Sequence, residues 1–273
     1  MKTIAVIGQG LWGKKIIASV RKYRSNFETE CLSSRKFISE PPSTFFDVIW
    51  IASRPSEQLE ILKTAKSMSQ VFILEKPICA SLHDYSQVRK ILENPKTRIE
   101  LSRPWSFSST WLKAREIVKS WDLTGSSVTF ERKGPAAHSY ITSIEDWLPH
   151  DVYLASDLFP AFDTKFSLNS FESGVSDLAL SLKSQEGTAL NFIFSEDESK
   201  KSTVEVSSDD GKLFIDFIEN CVEVNGKISE VIDPDELDAI NRILDSALYG
   251  DISRSNELVC TQEWMKSLID QRK

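Results

Sequence analysis

Two short clusters hold the residues best suited to move a proton or steady a developing charge. The first is Leu74-Glu75-Lys76-Pro77, at the end of the apolar run Val71-Phe72-Ile73-Leu74. A lysine there can hydrogen-bond a hydroxyl or carbonyl and, as a cation, stabilise an oxygen that gains charge. Its alternative is an ion pair with Glu75 or another carboxylate. The second cluster is Asp146-Trp147-Leu148-Pro149-His150-Asp151, followed by Val152-Tyr153-Leu154-Ala155. His150 is one of only 3 histidines, and imidazole is the side chain whose ordinary pKa lies nearest neutrality, the natural proton donor or acceptor. Asp146, four residues earlier in the chain, can orient that ring. Proline favours the first turn of a helix, so a helix is expected to begin near Pro149. The competing reading is a capping cluster, in which Asp146 or Asp151 satisfies helix N–H groups and His150 packs in the core.

The amino-terminal segment offers a place for a reagent. Ile4-Ala5-Val6-Ile7 runs into Gly8-Gln9-Gly10-Leu11-Trp12-Gly13 and then into Lys14-Lys15-Ile16-Ile17-Ala18-Ser19-Val20, in the order strand, glycine turn, helix. A dinucleotide pyrophosphate needs a tight turn at the first glycine, close backbone approach at the second and close helix packing at the third. The helix terminus then presents N–H groups and a partial positive charge to the phosphates. An acidic residue usually follows about 20 residues later to hold the ribose 2′-hydroxyl of NAD. Here that place holds Ser33-Ser34-Arg35-Lys36, and a hydroxyl with a guanidinium fork suits a 2′-phosphate. NADP(H) is therefore expected over NAD(H). The alternative makes Arg35 a loop arginine and gives the ribose to Glu30, inside the proposed strand.

These residues need elements to position them. Strand and helix patterns alternate through residues 1–100, including Phe27–Ser34, the apolar run Phe45–Ala52, the helical Glu57–Met68 and the strand Val71–Leu74. That alternation marks a doubly wound parallel sheet. Beyond Arg103 the runs Gly125–Lys133, Ser176–Lys183, Ala189–Phe194 and Thr203–Val206 alternate apolar and polar residues, as antiparallel strands with one covered face do. Glu186-Gly187, Asp209-Asp210-Gly211 and Asn225-Gly226 supply turns between them. Helical stretches over Pro234–Tyr249 and Thr261–Gln271 close the chain. The expectation is an α/β protein: a Rossmann nucleotide domain over residues 1–103, then an α+β domain over residues 104–273 with an open, mainly antiparallel sheet.

With 40 acidic against 33 basic residues and a net charge of −7, the chain as a whole would repel a phosphate backbone, so nucleic acid is not an expected partner. Cys31, Cys79, Cys221 and Cys260 are far apart and show no metal-ligand spacing, so no metal is expected. No signal-like segment precedes Ile4, and no apolar run approaches the roughly 18 residues of a membrane span, which points to a soluble cytoplasmic protein.

Taken in order, GQGLWG, Glu75-Lys76-Pro77 and Asp146-x-x-x-His150 before a helix make the chain resemble the glucose-fructose oxidoreductase, inositol dehydrogenase and MocA (Gfo/Idh/MocA) family. The resemblance implies an NAD(P)-dependent dehydrogenase or reductase acting on a carbinol or carbonyl of a sugar or similar small molecule. Lys76 resembles the family's catalytic lysine, His150 its catalytic histidine and Asp146 the neighbouring carboxylate. Gly8, Gln9, Gly10, Leu11, Trp12, Gly13, Ser33, Ser34, Arg35, Ser53, Arg54, Glu75 and Lys76 are expected to line the cofactor. Arg103, Trp105 and His138 join Lys76, Asp146 and His150 as expected substrate contacts. The sheet of the second domain is expected to support contacts between copies of the chain. Departures are Ser53-Arg54-Pro55-Ser56 where the family often has Thr-Pro-Asn, Gln58 where a histidine commonly follows, and Leu148 in place of a frequent glycine. Reduction of an imine, or a non-catalytic dinucleotide sensor or scaffold, are the alternative functions.

Overall fold

The computed structural model describes residues 1–94, 96–135, 142–160, 162–174, 177–232, 236–250 and 253–270. They form two compact units, one of residues 1–107 with 236–273 and one of residues 108–235.

In the first unit β1 (Lys2–Ile7), α1 (Leu11–Tyr23), β2 (Phe27–Leu32), α2 (Ser34–Ser39), β3 (Val48–Ile51), α3 (Pro55–Ala65), β4 (Val71–Leu74), α4 (Leu82–Leu92) and β5 (Arg98–Leu101) follow one another. Their sheet has the order β2-β1-β3-β4-β5, and every neighbouring pair is parallel. Strands β1 and β3 are apolar and buried because helices cover both faces. The chain leaves β1 toward β2 on one side and returns to β3 on the other. The carboxyl ends of β1 and β3 therefore flank the switch point at which such sheets bind ligands.

The second unit contains α5 (Ser109–Val118), β6 (Ser127–Gly134), α6 (Ser143–Leu158), α7 (Phe162–Lys165), β7 (Phe166–Ser173), β8 (Asp177–Ser184), β9 (Ala189–Glu196), β10 (Lys201–Ser208), β11 (Gly211–Asp216), β12 (Cys221–Val224) and β13 (Lys227–Val231). Its sheet runs β13-β12-β11-β10-β6-β9-β8-β7 and is antiparallel except for the parallel pair β6 and β9. Alternate residues of β6, including Val128, Phe130 and Arg132, face the covered side, and Phe130 stacks on Phe192 of β9 at 5.0 Å. Asp209-Asp210-Gly211 and Asn225-Gly226 are the turns expected of them.

Two expectations are corrected. The closing helices α8 (Glu236–Tyr249) and α9 (Ser253–Asp270) group with the first unit instead of the second. Ile240, Ile243, Leu244 and Ala247 of α8 are buried in one cluster with Ile4, Val6, Ile16, Val20, Trp50 and Ile73. Arg24, the C-cap of α1, binds Asn241 and Asp245, and Gln262 of α9 accepts hydrogen bonds from the Ile78 N–H and the Tyr85 hydroxyl. Helix α6, for its part, begins at Ser143 rather than near Pro149. Thr142 and Glu145 form a capping box, with Glu145 N–H to Thr142 Oγ1 at 3.2 Å and Thr142 N–H to Glu145 Oε2 at 3.3 Å. Pro149 sits inside the helix, where it removes one hydrogen bond without ending it.

Candidate active site

The glycine turn between β1 and α1 has the geometry its spacing predicts. Gly8 has φ +136°, and a Cβ there would lie 2.1 Å from the Ala52 carbonyl oxygen. A Cβ on Gly13 would lie 1.9 Å from the Gly8 carbonyl oxygen, so the first and third glycines are required by the fold. Among the described residues nothing lies within 4 Å of a Cβ on Gly10, so no described neighbour demands that the second glycine be small. Gly10 is also the N-cap of α1, offers no side-chain cap, and is followed by no acidic residue in the first turn. Gln9, Gly10 and Leu11 are exposed around it. The residues present thus fit a dinucleotide pyrophosphate. An open groove of about 530 Å³ beside α1, lined by Gln9, Lys14, Ile17, Ala18, Arg21 and Cys31, meets the expected cofactor residues only at Gln9.

Past the end of β2, Ser33 caps the short α2, its oxygen accepting from the Lys36 N–H at 3.2 Å. Ser34 is half-buried and Arg35 exposed. Glu30 is exposed within β2. Past the end of β3, Ser53 and Arg54 lead into α3, with Pro55 in its first turn.

The loop after β4 carries the lysine and is held from two sides. Gln58 of α3, buried, donates to the carbonyls of Glu75 at 2.9 Å and Pro77 at 3.0 Å, bracketing Lys76. The Glu75 side chain turns inward, where its Oε1 accepts from the indole N–H groups of Trp12 at 2.5 Å and Trp50 at 2.9 Å. Burial raises its pKa above the usual carboxylate range; Ser102, the two indoles and the charge of Lys76 pull against that. The Lys76–Pro77 peptide bond is cis. At the end of β5, Arg103 is buried, 3.4 Å from Glu100 and with its guanidinium 4.9 Å from the Phe107 ring centre. Arg103, expected as a substrate contact, thus has partners within its own unit. Trp105 is half-buried.

In the second unit, Asp146 and His150 lie one turn apart on α6, both nearly buried. The expected pairing geometry is therefore helical. Asp151 points elsewhere: Arg132 of β6 grips it through Nε at 2.8–2.9 Å and Nη2 at 2.6 Å, and spends Nη1 on Ser202 at 2.7 Å. Burial raises the Asp151 carboxyl above the usual carboxylate range, with the Arg132 guanidinium pulling against it. Sequence reasoning missed Arg132, Trp50 and the clamping role of Gln58. Arg132 left a signal, a charged residue at an inward position of an alternating strand, which demands a buried partner. His138 lies outside the described residues. Among the described residues no cluster of histidine, cysteine or carboxylate side chains could hold a metal ion.

No protein-family model matches the sequence, and no curated protein matches it. Solved structures do. UDP-N-acetylglucosamine 3-dehydrogenase from Acidithiobacillus ferrooxidans superposes with TM-score 0.76 at 13% identity, over 97% of each chain. A myo-inositol dehydrogenase from Corynebacterium glutamicum gives 0.72 at 14% identity, over 99% of this chain and 96% of that one. A 3-ketoreductase variant from Actinomadura kijaniata, in complex with NADP, gives 0.73 at 12% identity, again over 99% and 96%. At such identities the likeness is one of fold. The Rossmann unit followed by an open-sheet unit, as in Gfo/Idh/MocA-type dehydrogenases, is the architecture of this chain.

Proposed function

We propose that the protein is an oxidoreductase that moves a hydride between a nicotinamide dinucleotide, NADP(H) in preference to NAD(H), and a carbinol or carbonyl carbon of a sugar or sugar derivative. The glycine turn carries the reading. Its first and third glycines are imposed by backbone clashes, whereas the second is open to a ligand, at the sheet edge where Lys76 also emerges. Structures of the same fold that act on UDP-N-acetylglucosamine and myo-inositol, and one that holds NADP, support the substrate and cofactor class.

A bound dinucleotide supplies the hydride chemistry. In the reductive direction Lys76 steadies the carbonyl oxygen as charge grows on it, and His150 supplies the proton. Asp146, one helical turn before His150, orients the imidazole. Arg35, exposed just past β2, takes the 2′-phosphate with Ser34. The exposed face of the eight-stranded sheet, which includes Ile193, is where copies of the chain meet.

Titration of the purified protein with NADPH and NADH, followed by nicotinamide fluorescence, tests the reading. NADPH is expected to bind more tightly, and Arg35→Ala to weaken it by about tenfold while leaving NADH unchanged, as loss of one charge-assisted contact does. Failure to bind either nucleotide overturns the oxidoreductase reading; equal affinities overturn the NADP preference alone.

A further inference from the structure

The first turn of α1 and the loop after β4 are 63 residues apart in sequence, yet one short hydrogen bond joins them, Trp12 Nε1–H to Glu75 Oε1. Trp12 lies in the first turn of α1, two residues past Gly10, where an added Cβ would meet nothing within 4 Å among the described residues. Glu75 is the residue before Lys76. Trp50, from the buried strand β3, donates to the same oxygen and fixes the carboxylate from below. Gln58 of α3 holds the backbone on both sides of Lys76. The loop is thus anchored from α3, from β3 and, through Trp12, from the first turn of α1.

We infer that Glu75 is a positioning residue: its buried carboxylate ties the glycine turn to the loop of Lys76, so that seating a dinucleotide on the turn orders the lysine that meets the substrate. The inference rests on the proposed function and deepens it, because it makes cofactor binding a condition for a competent lysine. A hydrogen bond to a buried carboxylate suits the task, since an indole N–H can be replaced there only at the cost of leaving an acceptor dry. Coupling of this kind is reciprocal, so a substrate that engages Lys76 tightens the dinucleotide by the same factor.

Hydrogen–deuterium exchange of the full chain, with NADPH as the probe at a concentration that saturates each protein, tests it. In the wild type NADPH is expected to slow exchange both in the glycine turn, residues 8–14, and in the lysine loop, residues 75–80, by about tenfold. Trp12→Phe keeps an aromatic ring but removes the N–H, and Glu75→Leu removes the acceptor from the other side. With each protein saturated, and its NADPH affinity measured alongside, either variant is expected to lose most of the protection at residues 75–80. Protection of the lysine loop that survives in both variants overturns the coupling and leaves the oxidoreductase reading intact. Absence of NADPH or NADH binding to the wild type overturns both.

Discussion

Glu75 in the first unit and Asp151 in the second are buried carboxylates next in sequence to a candidate catalytic residue, and the two are held in opposite ways. Glu75, before Lys76, is held by neutral donors, the indoles of Trp12 and Trp50. Asp151, after His150, is held by the full charge of Arg132 in a bidentate pair. Neutral donors stabilise a carboxylate without balancing its charge, so Glu75 carries the cost of burial largely alone. A guanidinium balances the charge but makes each partner depend on the other. The first arrangement leaves a group that responds to its surroundings, as a link to a ligand site requires. The second rivets α6, and with it His150, to β6.

Breaking the rivet has the largest expected effect. Arg132→Met leaves Asp151 buried without a counter-charge and is expected to cost about 3–5 kcal/mol, read from urea unfolding followed by circular dichroism. Arg132→Met combined with Asp151→Leu removes both charges and is expected to recover most of that loss. A double variant as unstable as the single would show that the pair contributes beyond charge balance. Trp50→Phe, the corresponding change at Glu75, removes one of two indole donors and is expected to cost about 1.5–3 kcal/mol by the same measurement. A loss as large as that of Arg132→Met would erase the distinction between the two carboxylates.

The parts of this arrangement legible in the sequence are those set by neighbours in the chain. Gly8, Gly10 and Gly13 announce their turn through their spacing, and the clash that requires Gly13 is with Gly8, five residues back. Asn225-Gly226 announces its hairpin for the same reason, Asn225 and Gly226 both having positive φ. Pro149 misled because proline is compatible with a first turn and, at a stability cost, with an interior; the capping box Thr142-x-x-Glu145 was the stronger signal and lay seven residues earlier. The apolar face of α8 was readable, but amphipathicity says that a face is covered and not by what. The same limit hid the parallel pairing of β6 with β9, since alternation reports burial and not the direction of a neighbour. Trp12 with Glu75, and Arg132 with Asp151, join residues from separate elements, and only the folded chain brings them together.

The smallest expected effect has the clearest sign. Burial raises the Glu75 pKa from an ordinary 4.5, so the folded chain holds that proton more tightly than the unfolded chain does. The stability contributed by Glu75 is therefore full at pH below about 4.5, falls as pH rises toward the folded value, and is constant above it. A glutamine side chain in its place carries no such proton. The melting temperature of Glu75→Gln minus that of the wild type should thus be lowest near pH 4 and rise through this window, by an amount on the order of a few degrees. Whatever the substitution does to the indole contacts shifts all the differences together and leaves the slope. Asp151→Asn is the contrasting variant: it strands the buried Arg132 charge, so it should destabilise at every pH from about 5 to 8. A Glu75→Gln difference flat with pH would mean that the indoles, Ser102 and Lys76 offset the desolvation of Glu75 in full. The responsiveness assigned to Glu75 would then have no physical basis.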